Sequence, residues 1–291
     1  MDTMFHQQCL ICSSRQLKPL EKYRAMYLVQ CQACKFVFAE KIPSTAELVR
    51  YYEGYLRNSY LSPITIKRYE DLLDGFEKFR KSSRILDVGC GSGYFLEVAK
   101  QRGWEVFGTE FTEDAVSVCR SKGIMMHQGK LDTENYPASS FDIITSFEVL
   151  EHINDPLEEV KKFHALLRKE GIVYITTPNF NSLSRLVLKE KWNVLEFPEH
   201  LGYYTTTVLK QLFRSAGFNS LSTATTGISI TRARKSLRMT GEISTPEFSA
   251  DEQLRRSFES GIIMKTVKQS ANQLLTIFGI GDTIKATFIK K

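Results

Sequence analysis

The sequence predicts an α/β protein in which a doubly wound parallel sheet follows a small cysteine-rich module. Three observations predict this fold class. From residue 83 to residue 226, short apolar runs that suit buried strands alternate with segments of helical periodicity. A glycine-rich turn, Gly89-Cys90-Gly91-Ser92-Gly93, follows the first of these runs. Two Cys-x-x-Cys pairs stand ahead of the alternating region.

The alternating region begins with a unit that suits a nucleoside. Residues 85–88 form an apolar run typical of a buried parallel strand, and residues 94–102 have the spacing of a helix that Gly103 ends. The next strand, residues 104–109, leads to Glu110. A carboxylate at this position accepts hydrogen bonds from both hydroxyls of a ribose. The unit therefore predicts a nucleoside site, and a glycine turn without a ligand is the alternative.

The spacing of the glycines distinguishes between nucleosides. A dinucleotide site takes Gly-x-Gly-x-x-Gly, whereas this turn reads Gly-x-Gly-x-Gly with Tyr94 in the sixth position. Asp87 lies two residues before the first glycine, where a carboxylate suits an ammonium and a sulfonium group better than a pyrophosphate. The motif resembles that of class I S-adenosylmethionine (SAM) methyltransferases, and the resemblance runs from about residue 83 to residue 218.

This resemblance implies SAM as the cofactor and a seven-stranded sheet that an antiparallel last strand closes. It places the cofactor contacts in the glycine turn and at the ends of neighbouring strands. The residues implied are Asp87, Gly89, Gly91, Gly93, Glu110, Lys130, Leu131, Ser146 and Phe147.

Cap and stop signals predict the other elements of the core. The expected strands are residues 124–127, 141–147 and 172–177, and one more after Phe218. The expected helices run from Thr112 to Gly123, from Asp155 to Lys169, and from Thr205 or Thr206 to Ala216.

Four of the six cysteines form two pairs, Cys9-Leu-Ile-Cys12 and Cys31-Gln-Ala-Cys34. Each pair sets two sulfurs on a tight turn, and the 18 residues between the pairs leave room for a short hairpin. Four thiolates bind Zn²⁺ tetrahedrally and leave no position open, so this spacing predicts a structural zinc ribbon. The alternatives are two disulfides, which are rare in cytoplasmic proteins, or a redox pair.

The patterns divide the chain into five parts. These are a zinc ribbon at residues 1–42, a tyrosine-rich helical cover segment at 43–82, the SAM-binding core at 83–226, a helical insertion at 227–281 and a closing strand at 282–291. A net charge of +6 over 291 residues does not require a nucleic-acid partner. We expect a cytoplasmic protein, because no signal peptide begins the chain and the longest apolar stretch, residues 274–280, is too short to span a membrane.

The segment Glu148-Val-Leu-Glu151-His152 ends the fourth strand of the alternating region. In a helical turn these two carboxylates and the imidazole would share one face at the carboxyl edge of the sheet. The segment resembles one in ubiquinone-biosynthesis O-methyltransferases, where it is linked to a divalent metal near a catechol-like acceptor. The resemblance implies a second metal site, for example for Mg²⁺. The alternative is that these residues only orient the loop and the methionine end of SAM.

A second polar segment, Glu199-His200-Leu-Gly-Tyr203-Tyr204, stands in the long loop after the fifth strand. A histidine titrates near neutral pH and can remove a proton from an acceptor. The segment resembles the Glu-His-x-x-Tyr motif of zinc-module deoxysugar methyltransferases, where the Glu-His pair serves as base. Phe197-Pro198 departs from the residues that usually precede that pair, which disfavours methylation of carbon. A loop histidine held for structural reasons is the alternative.

These features predict a SAM-dependent methyltransferase that acts on a hydroxyl of a sugar, a sugar nucleotide or another small metabolite. His200 is the expected base and Glu199 its partner. One alternative is an RNA-modifying methyltransferase that binds RNA through the zinc ribbon. Against it, Ser146-Phe147-Glu148 stands where base-amino methylases place an N/D-P-P-Y/F motif. A non-catalytic SAM-binding protein is the other alternative, and the intact cofactor motif disfavours it.

Overall fold

The computed structural model describes residues 4–44, 47, 61–228 and 262–291. Over these residues the chain forms a four-stranded sheet and a seven-stranded sheet. The strands are β1 (Leu17–Pro19), β2 (Leu28–Cys31), β3 (Val37–Ala39), β4 (Arg84–Val88), β5 (Glu105–Glu110), β6 (Met125–Gln128), β7 (Phe141–Phe147), β8 (Leu167–Pro178), β9 (Gly202–Tyr203), β10 (Phe218–Thr226) and β11 (Thr283–Lys290). The α-helices are α1 (Pro63–Phe76), α2 (Tyr94–Gln101), α3 (Glu113–Ser121), α4 (Pro156–Leu166), α5 (Leu183–Leu188), α6 (Thr206–Ser215) and α7 (Ile262–Phe278).

The larger sheet has the strand order β10-β11-β8-β7-β4-β5-β6. Strands β8, β7, β4, β5 and β6 are parallel, whereas β11 is antiparallel to both β8 and β10. This arrangement confirms the predicted fold class, including an insertion before an antiparallel last strand. The order of the strands reverses between β4 and β7. In such sheets, ligands bind at the carboxyl ends of the strands beside this switch point.

Both faces of the larger sheet are buried, because successive residues of a strand point to opposite sides. In β4, Leu86 packs in one apolar cluster with Phe163 of α4, whereas Ile85 packs in a second cluster with Phe95 of α2. All four side chains are buried. Burial on both faces explains why β4 reads in the sequence as a continuous apolar run.

Helix α4 and strand β8 meet earlier in the chain than the sequence predicts. The helix ends at Leu166 rather than at Lys169, and the strand begins at Leu167 rather than at residue 172. Leu167 is fully buried and pairs with Phe141 of β7. Pairing with β7 therefore extends β8 into a polar stretch that has no strand signal of its own.

The smaller sheet joins the cysteine-rich module to the rest of the chain. Its antiparallel order is β1-β2-β3-β9, and β9 belongs to the loop between β8 and α6. The sequence predicts a module complete within residues 1–42, but its sheet takes a fourth strand from this distant loop. A strand of two residues has no period to detect, so the sequence carries no local signal for it.

Parts of two predicted segments lie outside the described residues. Residues 45–46 and 48–60 of the cover segment are among them, as are residues 229–261 of the insertion. Within the described residues, the cover segment contributes α1 and the insertion contributes α7. No helix in this part of the chain is long and apolar enough to cross a membrane.

Candidate active site

The four cysteines of the two pairs, Cys9, Cys12, Cys31 and Cys34, converge on one point, with all four sulfurs within 4.8 Å of one another. The Sγ atoms of Cys9 and Cys34 are 3.4 Å apart, and those of Cys12 and Cys31 are 3.6 Å apart. Both distances exceed a disulfide bond of about 2.05 Å. They approach the edge of about 3.8 Å in a tetrahedron built on Zn–S bonds of about 2.3 Å. The cluster therefore fits one tetrahedral zinc ion.

The charges of these sulfurs also suit a cation. The hydrogen bond between Cys9 and Cys34 lowers the pKa of Cys9 to about 5 and raises the pKa of Cys34. The pair thus shares one proton, which a zinc ion displaces when it binds. The backbone N–H groups of Ile11 and Cys34 point at the sulfurs of Cys9 and Cys31, each at 3.5 Å, and stabilise thiolates there.

Three glycines shape the turn after β4. Gly89, Gly91 and Gly93 have positive φ angles of +72°, +55° and +73°. A Cβ at Gly89 would lie 2.5 Å from Cγ2 of Val149, and a Cβ at Gly93 would lie 2.7 Å from Sγ of Cys119. At Gly91, by contrast, no atom of the described residues lies within 4 Å of that position. This space, at the carboxyl end of β4, is where the cofactor motif predicts SAM.

Glu110 reaches the same turn from the end of β5. One of its carboxylate oxygens accepts a hydrogen bond from the N–H of Gly91 at 3.0 Å, and the other accepts one from the N–H of Phe111 at 2.8 Å. Because a carboxylate offers about four lone pairs, both oxygens can accept further bonds. Glu110 is thus fixed beside the turn in an orientation that suits the hydroxyls of a ribose.

Asp87 lies buried beneath the turn, at the switch point of the sheet. The hydroxyl of Thr145 donates a hydrogen bond to Oδ1 of Asp87 at 2.8 Å. Burial raises the pKa of Asp87 to about 8, and the bond from Thr145 offsets only part of this effect. A cationic group nearby would favour the ionised carboxylate. The charge of Asp87 therefore depends on whether a cationic ligand is bound.

The other predicted cofactor residues lie at the same edge of the sheet. Ser146 and Phe147 end β7, which is the neighbour of β4. Lys130 and Leu131 follow β6, which is the neighbour of β5, and the side chain of Leu131 is buried. The roles of these four residues in binding SAM stay predictions.

Two loops bring a carboxylate and two imidazoles together at the carboxyl ends of β7 and β8. Glu151 and His152 lie in the short 3₁₀ helix Leu150–His152, and His200 lies in the loop that precedes β9. One potential metal-binding atom from each of these residues lies within 4.8 Å of the other two. The centroids of the two imidazole rings are 4.8 Å apart. The sequence did not predict this pairing, which joins distant segments.

Glu148 does not belong to this group, in contrast to the predicted convergence of Glu148, Glu151 and His152. Glu148 has a φ of +53° and precedes the 3₁₀ helix rather than lying in it. The spacing rule of an α-helical turn therefore does not apply to Glu148. The donor set that results has two imidazoles and one carboxylate, instead of two carboxylates and one imidazole.

Backbone carbonyls fix the tautomers of both histidines. Nδ1 of His152 lies 2.7 Å from the carbonyl oxygen of Glu199, and Nδ1 of His200 lies 2.6 Å from that of Val194. A carbonyl oxygen only accepts, so each Nδ1 carries the proton and each neutral ring has its lone pair on Nε2. Burial lowers the pKa of His152, which keeps this ring neutral below the ordinary titration range of histidine.

The residues next to His200 in the sequence contact the two histidines and the loop after β7. Glu199 orients His152 through its backbone carbonyl oxygen, and its predicted role as partner of His200 stays a prediction. Tyr203 is buried, with its ring centroid 6.5 Å from that of His200. Tyr204 is fully buried and reaches the other loop, where its hydroxyl donates to the carbonyl oxygen of Leu150 at 3.3 Å.

The profile of a protein family described as a methyltransferase domain matches residues 60–223, which is more than half of the chain. The chain belongs to this methyltransferase family. The matched region contains the glycine turn, Glu110 and both histidines of the acceptor loops. Family membership supports SAM as the methyl donor.

Named relatives and solved structures extend this comparison. The ubiquinone biosynthesis O-methyltransferase of Haemophilus ducreyi is 31% identical over 107 residues, which make up 33% of this chain and 45% of that enzyme. The enzyme of the same name from Histophilus somni is 27% identical over 152 residues, or 48% of this chain and 62% of that enzyme. The chain thus covers less than two thirds of either relative. A SAM-dependent methyltransferase from Archaeoglobus fulgidus shares the fold, with a TM-score of 0.52 at 19% identity over 78% of this chain and 93% of that one.

Proposed function

We propose that this protein transfers the methyl group of SAM to a hydroxyl oxygen of a small metabolite. The observation that carries the proposal is the pair of imidazoles, His152 and His200, at the sheet edge where the motif predicts SAM. Val149 connects the two sites, because its side chain packs on Gly89 and Glu151 follows it by two residues. The sheet edge that carries the glycine turn therefore also carries the proposed base.

Different residues of the chain bind SAM and transfer the proton. Glu110 and Asp87 hold the ribose and the cationic part of SAM, which supplies an activated methyl group when it is bound. Nε2 of His200 accepts the proton of the acceptor hydroxyl as its oxygen forms the new bond to the methyl carbon. The electron pair of the broken carbon–sulfur bond stays on the sulfur. Glu151 lies close enough to stabilise the imidazolium that proton transfer produces.

The names of the relatives favour a phenolic acceptor. A phenol has a pKa of about 10, as in tyrosine, and an aliphatic hydroxyl is a weaker acid. A phenol therefore gives up its proton to an imidazole more readily than a sugar hydroxyl does. The curated relatives bear the name of O-methyltransferases of ubiquinone biosynthesis. The sugar acceptor that the sequence predicts remains the alternative for an acceptor screen.

The proposed reaction does not use Mg²⁺. Mg²⁺ prefers octahedral oxygen ligands, whereas the three groups that converge here supply two imidazoles and one carboxylate. Neutral imidazoles held by carbonyls through Nδ1 suit proton transfer as they stand. Transfer rates should therefore be the same with and without added Mg²⁺.

The test measures transfer of an isotope-labelled methyl group from SAM to four acceptors: a catechol, a monohydric phenol, a nucleotide sugar and a tRNA. Wild-type protein should methylate the catechol or the phenol. The His200→Ala variant should lower kcat by roughly 10²–10⁴-fold, the usual contribution of a positioned base. The affinity for SAM should not change, because His200 is not among the cofactor residues.

His164→Ala is the matched control, since it removes an imidazole on helix α4 that packs on Phe218 and belongs to neither acceptor loop. It should retain most of the wild-type kcat. A His200→Ala variant with near-normal kcat would show that His200 is not the base. Methylation of the tRNA alone would favour the RNA-modifying alternative, and the absence of transfer to all four acceptors would contradict the proposal.

A further inference from the structure

The cysteine-rich module contacts the loop that carries His200. Strand β3 pairs with β9, so that Val37 lies opposite Tyr203. The N–H of Ala39 also donates a hydrogen bond to the carbonyl oxygen of Leu201 at 2.8 Å. The module thus contacts this loop from Leu201 onward, directly after His200.

The module contacts the loop after β7 as well. Phe36 is fully buried and stacks on Tyr204, with ring centroids 5.1 Å apart. The hydroxyl of Tyr204 in turn donates to the carbonyl oxygen of Leu150. At the other end of this loop, Nε2 of His6 lies 3.0 Å from Oδ1 of Asn154. The module therefore reaches the second loop at both ends.

Hydrogen bonds also join the two loops to each other. The N–H of Leu201 donates to the carbonyl oxygen of Glu151 at 2.7 Å, and Nδ1 of His152 donates to that of Glu199 at the same distance. The orientation of His152 thus depends on where the backbone of the other loop lies.

We propose that the zinc-binding module is a clamp that sets the placement of His152 against His200, with Phe36 as its positioning residue. The proposal rests on the proposed function, in which the two imidazoles meet the acceptor. A zinc ion held by the four cysteines would fix Phe36 at short range, because the carbonyl oxygen of Phe36 accepts a hydrogen bond from the N–H of Cys31 at 2.9 Å. Loss of the ion would release Phe36 and with it the stack on Tyr204.

Strand β3 suits this role because the core encloses it on both faces. Phe36 and Phe38 pack in the apolar cluster that includes Leu150, whereas Val37 packs in the cluster that includes Trp192. Close-packed interiors transmit displacements rather than absorb them. A shift of the module would therefore shift both histidine loops, while the hydrogen bond from the N–H of Gly91 to Glu110 still holds the glycine turn after β4.

The test truncates Phe36 and follows the cofactor side and the acceptor side separately. In Phe36→Ala, kcat should fall about 10²-fold, which a misplacement of about 1 Å can cause. SAM affinity should stay within about twofold, since the variant touches no cofactor residue. Hydrogen exchange at the amide of Leu201 should become faster, whereas exchange at the amides of β4 should not. A smaller loss of kcat in Phe36→Leu would support a role for the filled volume.

Phe213→Ala is the matched control, because it removes an equally large buried ring, on helix α6, that stacks on Phe288 of strand β11. It should keep both the wild-type kcat and the slow exchange at Leu201. The clamp would be overturned by normal kcat and normal exchange in Phe36→Ala, or by an equal loss in Phe213→Ala. These outcomes compare folded proteins at matched SAM saturation.

If Phe36→Ala does not fold, Tyr204→Phe decides, because it removes only the hydroxyl that reaches Leu150. A severalfold fall in kcat with unchanged SAM affinity supports the clamp, and an unchanged kcat contradicts it. If wild-type protein methylates no acceptor, the proposed function fails by itself. Exchange at Leu201 then still decides whether the module holds the loops.

Discussion

The cofactor side and the acceptor side of the site are built in different ways. On the cofactor side, Asp87, the glycine turn and Glu110 belong to one continuous unit, β4-α2-β5. On the acceptor side, His152 and His200 come from separate loops that meet against the cysteine-rich module. Local sequence therefore specifies the cofactor site, whereas the acceptor site depends on contacts between distant segments. Each variant below should disturb one side and leave the other intact.

The largest effect is expected on the cofactor side, from Gly91→Val. The substitution fills the space beside the turn and places a branched residue at a φ of +55°. Calorimetric titration should show SAM affinity weakened by more than about 10²-fold, or on the order of 3 kcal/mol. Hydrogen exchange at Leu201 on the acceptor side should not change.

Gly227→Val is the control for Gly91→Val, because Gly227 also has a positive φ, +77°, and no described atom within 4 Å of a Cβ position. It should carry a similar backbone penalty and bind SAM normally. Wild-type affinity in Gly91→Val, or equal losses in the two variants, would remove the assignment of this space to SAM.

The next largest effect is expected on the acceptor side, where the rate of methyl transfer should fall at acid pH. Burial lowers the pKa of His152, so its neutral form persists below pH 6.5, and protonation would repel the imidazolium that forms on His200. Protonation of His152 should therefore lower the rate below pH 6.5, by up to about tenfold per pH unit. The same shift means that His152 contributes stability above about pH 6.5, which is lost as the pH falls through its folded pKa.

A pH–rate profile at saturating SAM measures this fall in rate at acid pH. His152→Gln should change the pH at which the rate falls, whereas His164→Gln, on helix α4, should leave that pH unchanged. A fall in rate that has the same pH dependence in His152→Gln as in the wild-type protein would contradict a contribution from His152.

The smallest expected effect is on the cofactor side, where the binding of SAM should release a proton from the protein. Burial raises the pKa of Asp87 from 3.8 to about 8, so the group is protonated near pH 7. The stability that it contributes is fully present below about pH 3.8 and is lost as the pH rises to about 8. A cationic ligand favours the carboxylate, so SAM should release up to about one proton per molecule bound and bind more tightly as pH rises toward 8.

Titrations in buffers with different ionisation enthalpies count this proton. Asp87→Asn should abolish the release, whereas Glu110→Gln should weaken binding and keep the release. Binding of SAM without proton release by the wild-type protein would show that the cation does not lie near Asp87.

The difference between the two sides also explains why the sequence predicts some features of the structure and not others. The strand 141–147 coincides with β7, and the helix expected from residue 94 begins at that residue. The Asp155 signal for α4 is also present in the structure, where its side chain accepts from the N–H of Glu158. Each of these signals lies within a few residues of the element it specifies, so no knowledge of the tertiary fold is needed.

Signals on the acceptor side depend on tertiary contacts. The pairing of His152 with His200 and the addition of β9 to the smaller sheet join distant residues, and neither has a local period. The convergence of Glu148 with Glu151 was expected from helical spacing, but the chain takes a left-handed residue and a 3₁₀ helix there. The sequence thus names most of the residues on this side without the arrangement that unites them.

Zinc removal tests the contrast between the two sides most directly. The measurement is a SAM titration and a methyl-transfer rate on the same preparation before and after chelation, with zinc counted in both. SAM affinity should remain within about threefold, because the hydrogen bond from the N–H of Gly91 to Glu110 holds the glycine turn within the β4-α2-β5 unit. The transfer rate should fall by about 10²-fold and recover when zinc returns. A parallel loss of SAM affinity, or a transfer rate that does not change when the ion is gone, would contradict the division of the site into a self-supporting cofactor side and a clamped acceptor side.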